Sequence, residues 1–205
     1  EDILVTAGHC LNKTPCSKTS IVFGYSLEPD NSLATLTVDN VFKCEEVTTQ
    51  VLPNQDNKYL DYAIVKLDRK TGRDGLDYTM VDTLGVKNNV AVIGHPSGIP
   101  LKIASNAVVL SNEVEDPLFI TNLDTFVSNS GSPVINTDTY LVEGILVRGI
   151  TDYVLSEDSS CVQVNRCPED GGENCTGENA TKMSVVAEFI PESTATGFES
   201  LKCLS

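Results

Sequence analysis

The chain has 205 residues, 14 of them basic and 29 acidic, for a net charge of −15. So acidic a surface repels phosphate backbones and anionic membranes, which excludes nucleic acid and membrane partners from the expectation. With 40% hydrophobic and 21% charged residues, the length suits one all-β domain with a real core.

The first short apolar run, residues 3–6, leads straight into Ala7-Gly8-His9-Cys10. Further β-type runs follow at 20–23, 34–38, 62–67, 90–93, 107–110, 118–120, 132–135 and 142–147, separated by breaks rich in Gly, Pro, Asn and Asp such as 52–57. Many short strands with regular turn signals predict an antiparallel barrel pair or sandwich. Only the tail near 185–190 has a helical pattern. Residues 156–178, rich in Gly, acidic residues and Cys, read as a disulfide-pinned surface loop. No apolar run reaches the 18 residues of a membrane span.

Seven cysteines (Cys10, Cys16, Cys44, Cys161, Cys167, Cys175, Cys203) and only two histidines, with no CxxC pair, speak for disulfides rather than a metal site. Disulfides imply an oxidising compartment, so a secreted protein is expected. The sequons at Asn12, Asn174 and Asn179 are compatible with that. The odd count leaves one cysteine unpaired, and Cys10 or Cys16 is expected to find its partner upstream of Glu1. No feature demands a cofactor. A structural calcium ion has no EF-hand-like spacing to support it, and no metal ligand is assigned.

Three residues carry chemistry. Ser130 lies in Ser128-Asn129-Ser130-Gly131-Ser132-Pro133, a small-residue turn that exposes a hydroxyl. A serine needs a nearby base to act as a nucleophile. His9 ends an apolar run and is a candidate base, held by a disulfide expected at Cys10. Asp61 precedes the apolar run 62–67, where a carboxylate is costly unless paired, and is suited to orienting an imidazole. His95, in Gly94-His95-Pro96, reads as a turn residue.

Thr6-Ala7-Gly8-His9-Cys10, Asp61-Tyr62-Ala63-Ile64-Val65-Lys66-Leu67 and Asn129-Ser130-Gly131-Ser132-Pro133-Val134 resemble the three motifs of chymotrypsin/trypsin-like serine peptidases, the last in the form used by the bacterial branch that includes glutamyl endopeptidases. They come in that family's order, 52 and 69 residues apart (61 minus 9, 130 minus 61). The resemblance implies two perpendicular six-stranded antiparallel barrels, about 1–80 and 81–205 of a single peptidase domain. The N-terminal strands of barrel one are expected to lie upstream of Glu1, and a short C-terminal helix is expected near the end. The implied catalytic residues are His9, Asp61 and Ser130, with an oxyanion hole from the backbone N–H groups of Ser128 and Ser130. The implied substrate-binding residues are Asp124, Thr125, Val147, Arg148 and Gly149. Protein or peptide substrates and a monomeric state are expected.

The sequence departs from the family at Ser128, where Gly is usual. It departs again at Asn129, where digestive enzymes carry the Asp that binds a newly cut N-terminus, so no such activation switch is expected. Asp124, six residues before Ser130, favours Arg or Lys as the residue before the scissile bond, and Glu178 adds negative charge nearby. A structural alternative pairs Asp124 with Arg148. Leu146 stands where glutamyl endopeptidases carry a His, which argues against Glu specificity. The competing function classes are a non-catalytic binding module on the same fold and a stress-type protease domain joined to a peptide-binding module; seven cysteines argue against the second.

Overall fold

The computed structural model describes residues 2–156, 158, 160–168 and 175–191. Two β units form around separate apolar clusters. The first is an open four-stranded antiparallel sheet of β1 (Ile3–Thr6), β4 (Tyr62–Leu67), β3 (Val41–Val51) and β2 (Ser20–Val22), in that order. As expected of a first barrel that lacks some of its strands in this chain, the unit is a half-barrel, with β1 and β2 at its edges. The second unit is the expected closed barrel, running β12 (Glu178–Lys182), β7 (Leu118–Thr121), β6 (Lys102–Ser111), β5 (Asn89–Gly94), β8 (Pro133–Asn136) and β9 (Val142–Arg148). A two-stranded ribbon, β10 (Tyr153–Leu155) and β11 (Val162–Val164), stands outside both.

The apolar alternation explains the core. Val90, Val92, Val109, Phe119, Val134 and Leu146 fill the barrel. A second cluster crosses between the units, with Tyr62 and Ile64 of β4 packed on Val142 and Ile145 of β9 and on Met183 and Val186 of the helix. Each such fully buried side chain contributes about 1.5–3 kcal/mol. Burial at this seam fixes the two sheets against each other and so holds the chain ends of β1 and β4 beside β9.

The run at 34–38 forms no strand. Leu33 makes one isolated bridge to Leu27, and Thr37 caps a 3-10 turn over Val38–Asn40, with Asn40 Oδ1 accepting from the Thr37 N–H. Side chains satisfy that backbone locally, which removes the need for a strand partner. Conversely β3, the longest strand, has so many charged and exposed positions that the sequence does not single it out; Phe42 and Cys44 alone face inward at its start. The C-terminal helix, α1 (Met183–Val186), begins two residues before the expected position and continues as a 3-10 turn over Ala187–Phe189.

Disulfides join Cys16 to Cys44 and Cys167 to Cys175. Cys10 is a free, exposed thiol, as is Cys161. The upstream partner expected for Cys10 or Cys16 is thus corrected for Cys16, which pairs with Cys44, while Cys10 has no disulfide partner among the described residues. Cys203 lies outside the described residues. No helix among them is long and apolar enough to cross a membrane.

Candidate active site

β1 ends at Thr6 and the chain turns through a 3-10 turn, Gly8–Leu11, that carries His9. The Gln50 amide on β3 donates to the Gly8 carbonyl at 2.8 Å and holds this turn. Pairing of β1 with β4 puts Thr6 opposite Ala63, which places Asp61 next to the histidine. The Asp61 carboxylate takes two hydrogen bonds from one residue: Oδ1 accepts from the His9 backbone N–H at 3.0 Å, and Oδ2 lies 2.6 Å from His9 Nδ1. The side chain of Asp61 is 4% exposed and that of His9 40%, so the carboxylate is sealed while the far edge of the imidazole faces the cleft. Thr181 of β12 donates to the Asp61 carbonyl at 2.8 Å and ties the pair to the barrel.

Ser130 sits between β7 and β8. The segment Phe126-Val127-Ser128-Asn129 makes a type II turn: the Asn129 N–H donates to the Phe126 carbonyl at 3.1 Å, and Ser128 has φ of +77°. That is the left-handed conformation Gly takes freely and Ser takes at a cost. The Val127 carbonyl accepts from the Ser97 N–H at 2.6 Å, and the Val127 N–H donates to Asp152 Oδ2 at 2.7 Å. Both ends of that residue are thereby pinned. The N–H groups of Ser128 and Ser130 have no acceptor among the described residues.

The loop is pressed onto the end of β1. Gly131 lies against the Thr6 hydroxyl with no room for a Cβ, its N–H donates to the Leu146 carbonyl at 2.7 Å, and the Cys10 thiol lies 3.7 Å from the Ser130 carbonyl. His9 and Ser130 are thus brought together through their neighbours, Cys10 and Gly131. The Ser130 hydroxyl forms no hydrogen bond among the described residues, to His9 or to any other group.

The remaining sequence-named residues divide into two places. Thr125 is buried and its hydroxyl donates to Glu178 Oε2 at 2.6 Å. Glu178, 5% exposed, also accepts from the Ile150 N–H at 3.4 Å, and its carboxylate abuts Gly149, where a side chain would collide. Burial pushes the Glu178 carboxyl above its ordinary value, the nearby charges of Asp152 and Asp124 add to this, and the Thr125 and Ile150 hydrogen bonds oppose it. Asp124 is exposed. Val147 packs on Ala7 and Leu118, which puts it beside the histidine turn. Arg148 turns elsewhere, over the Tyr59 ring at 4.8 Å and to Asn179 Oδ1 at 3.5 Å. The alternative that pairs Arg148 with Asp124 is therefore corrected: no such ion pair exists. Asn179, read as a sequon, is a strand residue of β12 paired with Arg148. His95 lies at the expected turn after β5, stacked on Tyr25.

Sequence reasoning missed Gln50, Ser97, Asp152 and Thr181. Each acts through a contact between distant segments that no local pattern announces. Among the described residues no group of three or more His, Cys, Asp or Glu is arranged to hold a metal ion.

A family model for the trypsin-like peptidase domain matches residues 1–145. The chain belongs to the trypsin-like peptidase family. As a member it is a serine-type endopeptidase, a hydrolase of protein or peptide substrates. No curated protein matches its sequence. Among solved structures, a Glu endopeptidase aligns with a TM-score of 0.59 and 18% identity over 92% of this chain and 79% of its own. The VesB protease of Vibrio cholerae aligns with a TM-score of 0.61 and 15% identity, over 92% of this chain and 54% of its own. The Rv3671c protease of M. tuberculosis, in an inactive form, aligns with a TM-score of 0.54 and 15% identity, over 92% of this chain and 75% of its own. At these identities the likeness concerns the fold, and it makes the half-barrel and barrel of this peptidase chymotrypsin-like.

Proposed function

We propose that this peptidase is an active, secreted, monomeric enzyme whose residues 1–205 form one catalytic domain, and that it cleaves after Arg or Lys with His9, Asp61 and Ser130 as its triad. The observation that carries the reading is the doubly hydrogen-bonded His9–Asp61 pair, with the Ser130 loop packed on the same strand end. Asp61 keeps a proton on Nδ1 and stabilises the imidazolium. Nε2 is then free to take the proton from Ser130 as its oxygen attacks the substrate carbonyl. The bond to the leaving amine breaks as His9 returns that proton, leaving an acyl-enzyme that water hydrolyses by the same steps.

The unpartnered N–H groups of Ser128 and Ser130 suit the oxyanion of the tetrahedral intermediate, each such donor contributing about 3 kcal/mol to the transition state. Ser128 adopts the positive φ that the family's Gly adopts readily, and the Ser97 and Asp152 contacts to Val127 hold the turn there. Beyond Ile145 the strand β9 has no further pairing with β8, which leaves Val147–149 an open edge for an extended substrate.

Specificity follows from charge. The charges of Asp152 and Asp124 act on Glu178, and none of the three has a basic partner among the described residues. A guanidinium or ammonium group entering beside Thr125 and Gly149 relieves that repulsion. Secretion is supported by the Cys16–Cys44 and Cys167–Cys175 disulfides.

The missing hydrogen bond between Ser130 and His9 favours a second reading, a binding module on the peptidase fold. Labelling with a fluorophosphonate separates the two. The wild type is expected to label, Ser130→Ala not at all and Asp61→Asn far more slowly; a wild type that fails to label makes the chain a binding module.

A further inference from the structure

A cleft of about 380 Å³ opens where the loop before Asp61 meets the barrel, lined by Lys58, Tyr59, Glu113, Asp116, Arg148 and Asn179 among others. Glu178 is not among its lining residues. Two of its lining residues are chain neighbours of groups at the proposed catalytic site: Tyr59 is two residues from Asp61, and Arg148 follows Val147, which packs on Ala7 beside the histidine turn.

Its charges are not equivalent. Asp116 is already engaged, its Oδ1 accepting from the Leu118 N–H at 3.0 Å within its own turn. Lys58 reaches only a neutral acceptor, the Glu115 carbonyl. Arg148 has the long contact to Asn179 and the face of Tyr59. Neither cation has a carboxylate within ion-pair distance among the described residues. In a chain with 29 acidic residues against 14 basic, two cations in one cleft that form no ion pair among the described residues are unusual. The stacked ring of Tyr59 also holds the guanidinium plane in place, so less side-chain entropy is lost when an anion binds.

We propose that this cleft receives a substrate side chain from the acyl side of the scissile bond and that Arg148, aided by Lys58, selects a carboxylate there. The inference rests on the endopeptidase reading and adds a substrate class to it: an acidic residue shortly before a basic one. The two carboxylates that line the cleft, Glu113 and Asp116, oppose this selection, so the charge of the incoming side chain decides the test.

The test uses full-length Ser130→Ala protein and two fluorescent peptides that differ only in carrying Glu or Lys at the third and fourth positions before Arg. The Glu peptide is expected to bind about five- to tenfold more tightly by anisotropy, the size of one partly solvated charged contact. Arg148→Glu, at an exposed position, is expected to reverse the order. Equal binding, tighter binding of the Lys peptide, no binding of either peptide, or an order unchanged by Arg148→Glu each overturns the proposal. Fluorophosphonate labelling of the native enzyme tells which reading has failed: labelling with no peptide discrimination removes this inference alone, whereas no labelling and no peptide binding remove the endopeptidase reading with it.

Discussion

The carboxylate of Asp61 grips His9 twice, at its backbone N–H and at its Nδ1, at 3.0 and 2.6 Å. The first contact dictates what a substitution does to the second. In Asp61→Asn the amide oxygen stays on the backbone N–H, which needs an acceptor, and the NH2 group is turned toward Nδ1. That forces the proton onto Nε2, the wrong tautomer for a base. The expected result is correct folding with kcat reduced by about 10⁴-fold, checked by steady-state kinetics beside a thermal melt. A variant with near-native kcat would remove Asp61 from the proposed mechanism.

Ser128 carries the strain of the proposed oxyanion turn at φ +77°. Ser128→Gly is expected to change stability by less than about 1 kcal/mol, because relief of strain offsets the greater freedom Gly brings to the unfolded chain, and to label with fluorophosphonate at least as fast as wild type. Ser128→Val places a β-branched residue in the same region and is expected to cost about 1–3 kcal/mol and to slow labelling. Equal labelling rates for all three proteins would show that the turn does not govern reactivity.

Glu178 is expected to govern the basic preference. Glu178→Gln keeps the Thr125 contact but loses the charge, so kcat/KM for Arg and Lys substrates is expected to fall about 10- to 100-fold, with labelling by an uncharged fluorophosphonate retained. The same group affects stability. Its carboxyl is raised above the ordinary glutamate value of 4.5 chiefly by burial, so the folded state binds its proton more tightly than the unfolded state does. The stabilisation is present below that ordinary value and is lost as pH rises through the raised one. Glu143, raised in the same sense by burial, adds to the trend. Urea melts from pH 4 upward should show a shallower decline for Glu178→Gln than for wild type; parallel curves would remove Glu178 as the source.

Lys182 is 3% exposed and pairs with Asp82 at 2.8 Å while donating to the Glu113 carbonyl at 2.6 Å. Lys182→Met strands a partly buried carboxylate and is expected to cost about 3–5 kcal/mol. Adding Asp82→Asn should return part of that loss. Denaturant melts of the two single variants and the double variant give the coupling, and simple additivity would mean that the pair contributes nothing as a pair.

The motif residues were legible because they are local. Gly-His-Cys at the end of an apolar run, Asp before another and Asn-Ser-Gly-Ser-Pro in a turn are each written in consecutive residues, and most of the barrel strands follow from apolar runs of strand length. The run at 34–38 misled because Thr37 and Asn40 satisfy the backbone themselves, and β3 escaped notice because its charged face is solvated.

The sequence by itself determined the residue types that can do chemistry, their order along the chain, and a β architecture to carry them. Tertiary structure decided which partners they meet. It joined Cys16 to Cys44 and left Cys10 free, set Asp152 against the Val127 N–H, brought Glu178 to Thr125, and turned Arg148 toward Tyr59 instead of Asp124. Strand periodicity says which face a side chain takes, but contacts across the chain depend on the register of strands far apart in sequence. That register emerges only when both sheets close on their shared core.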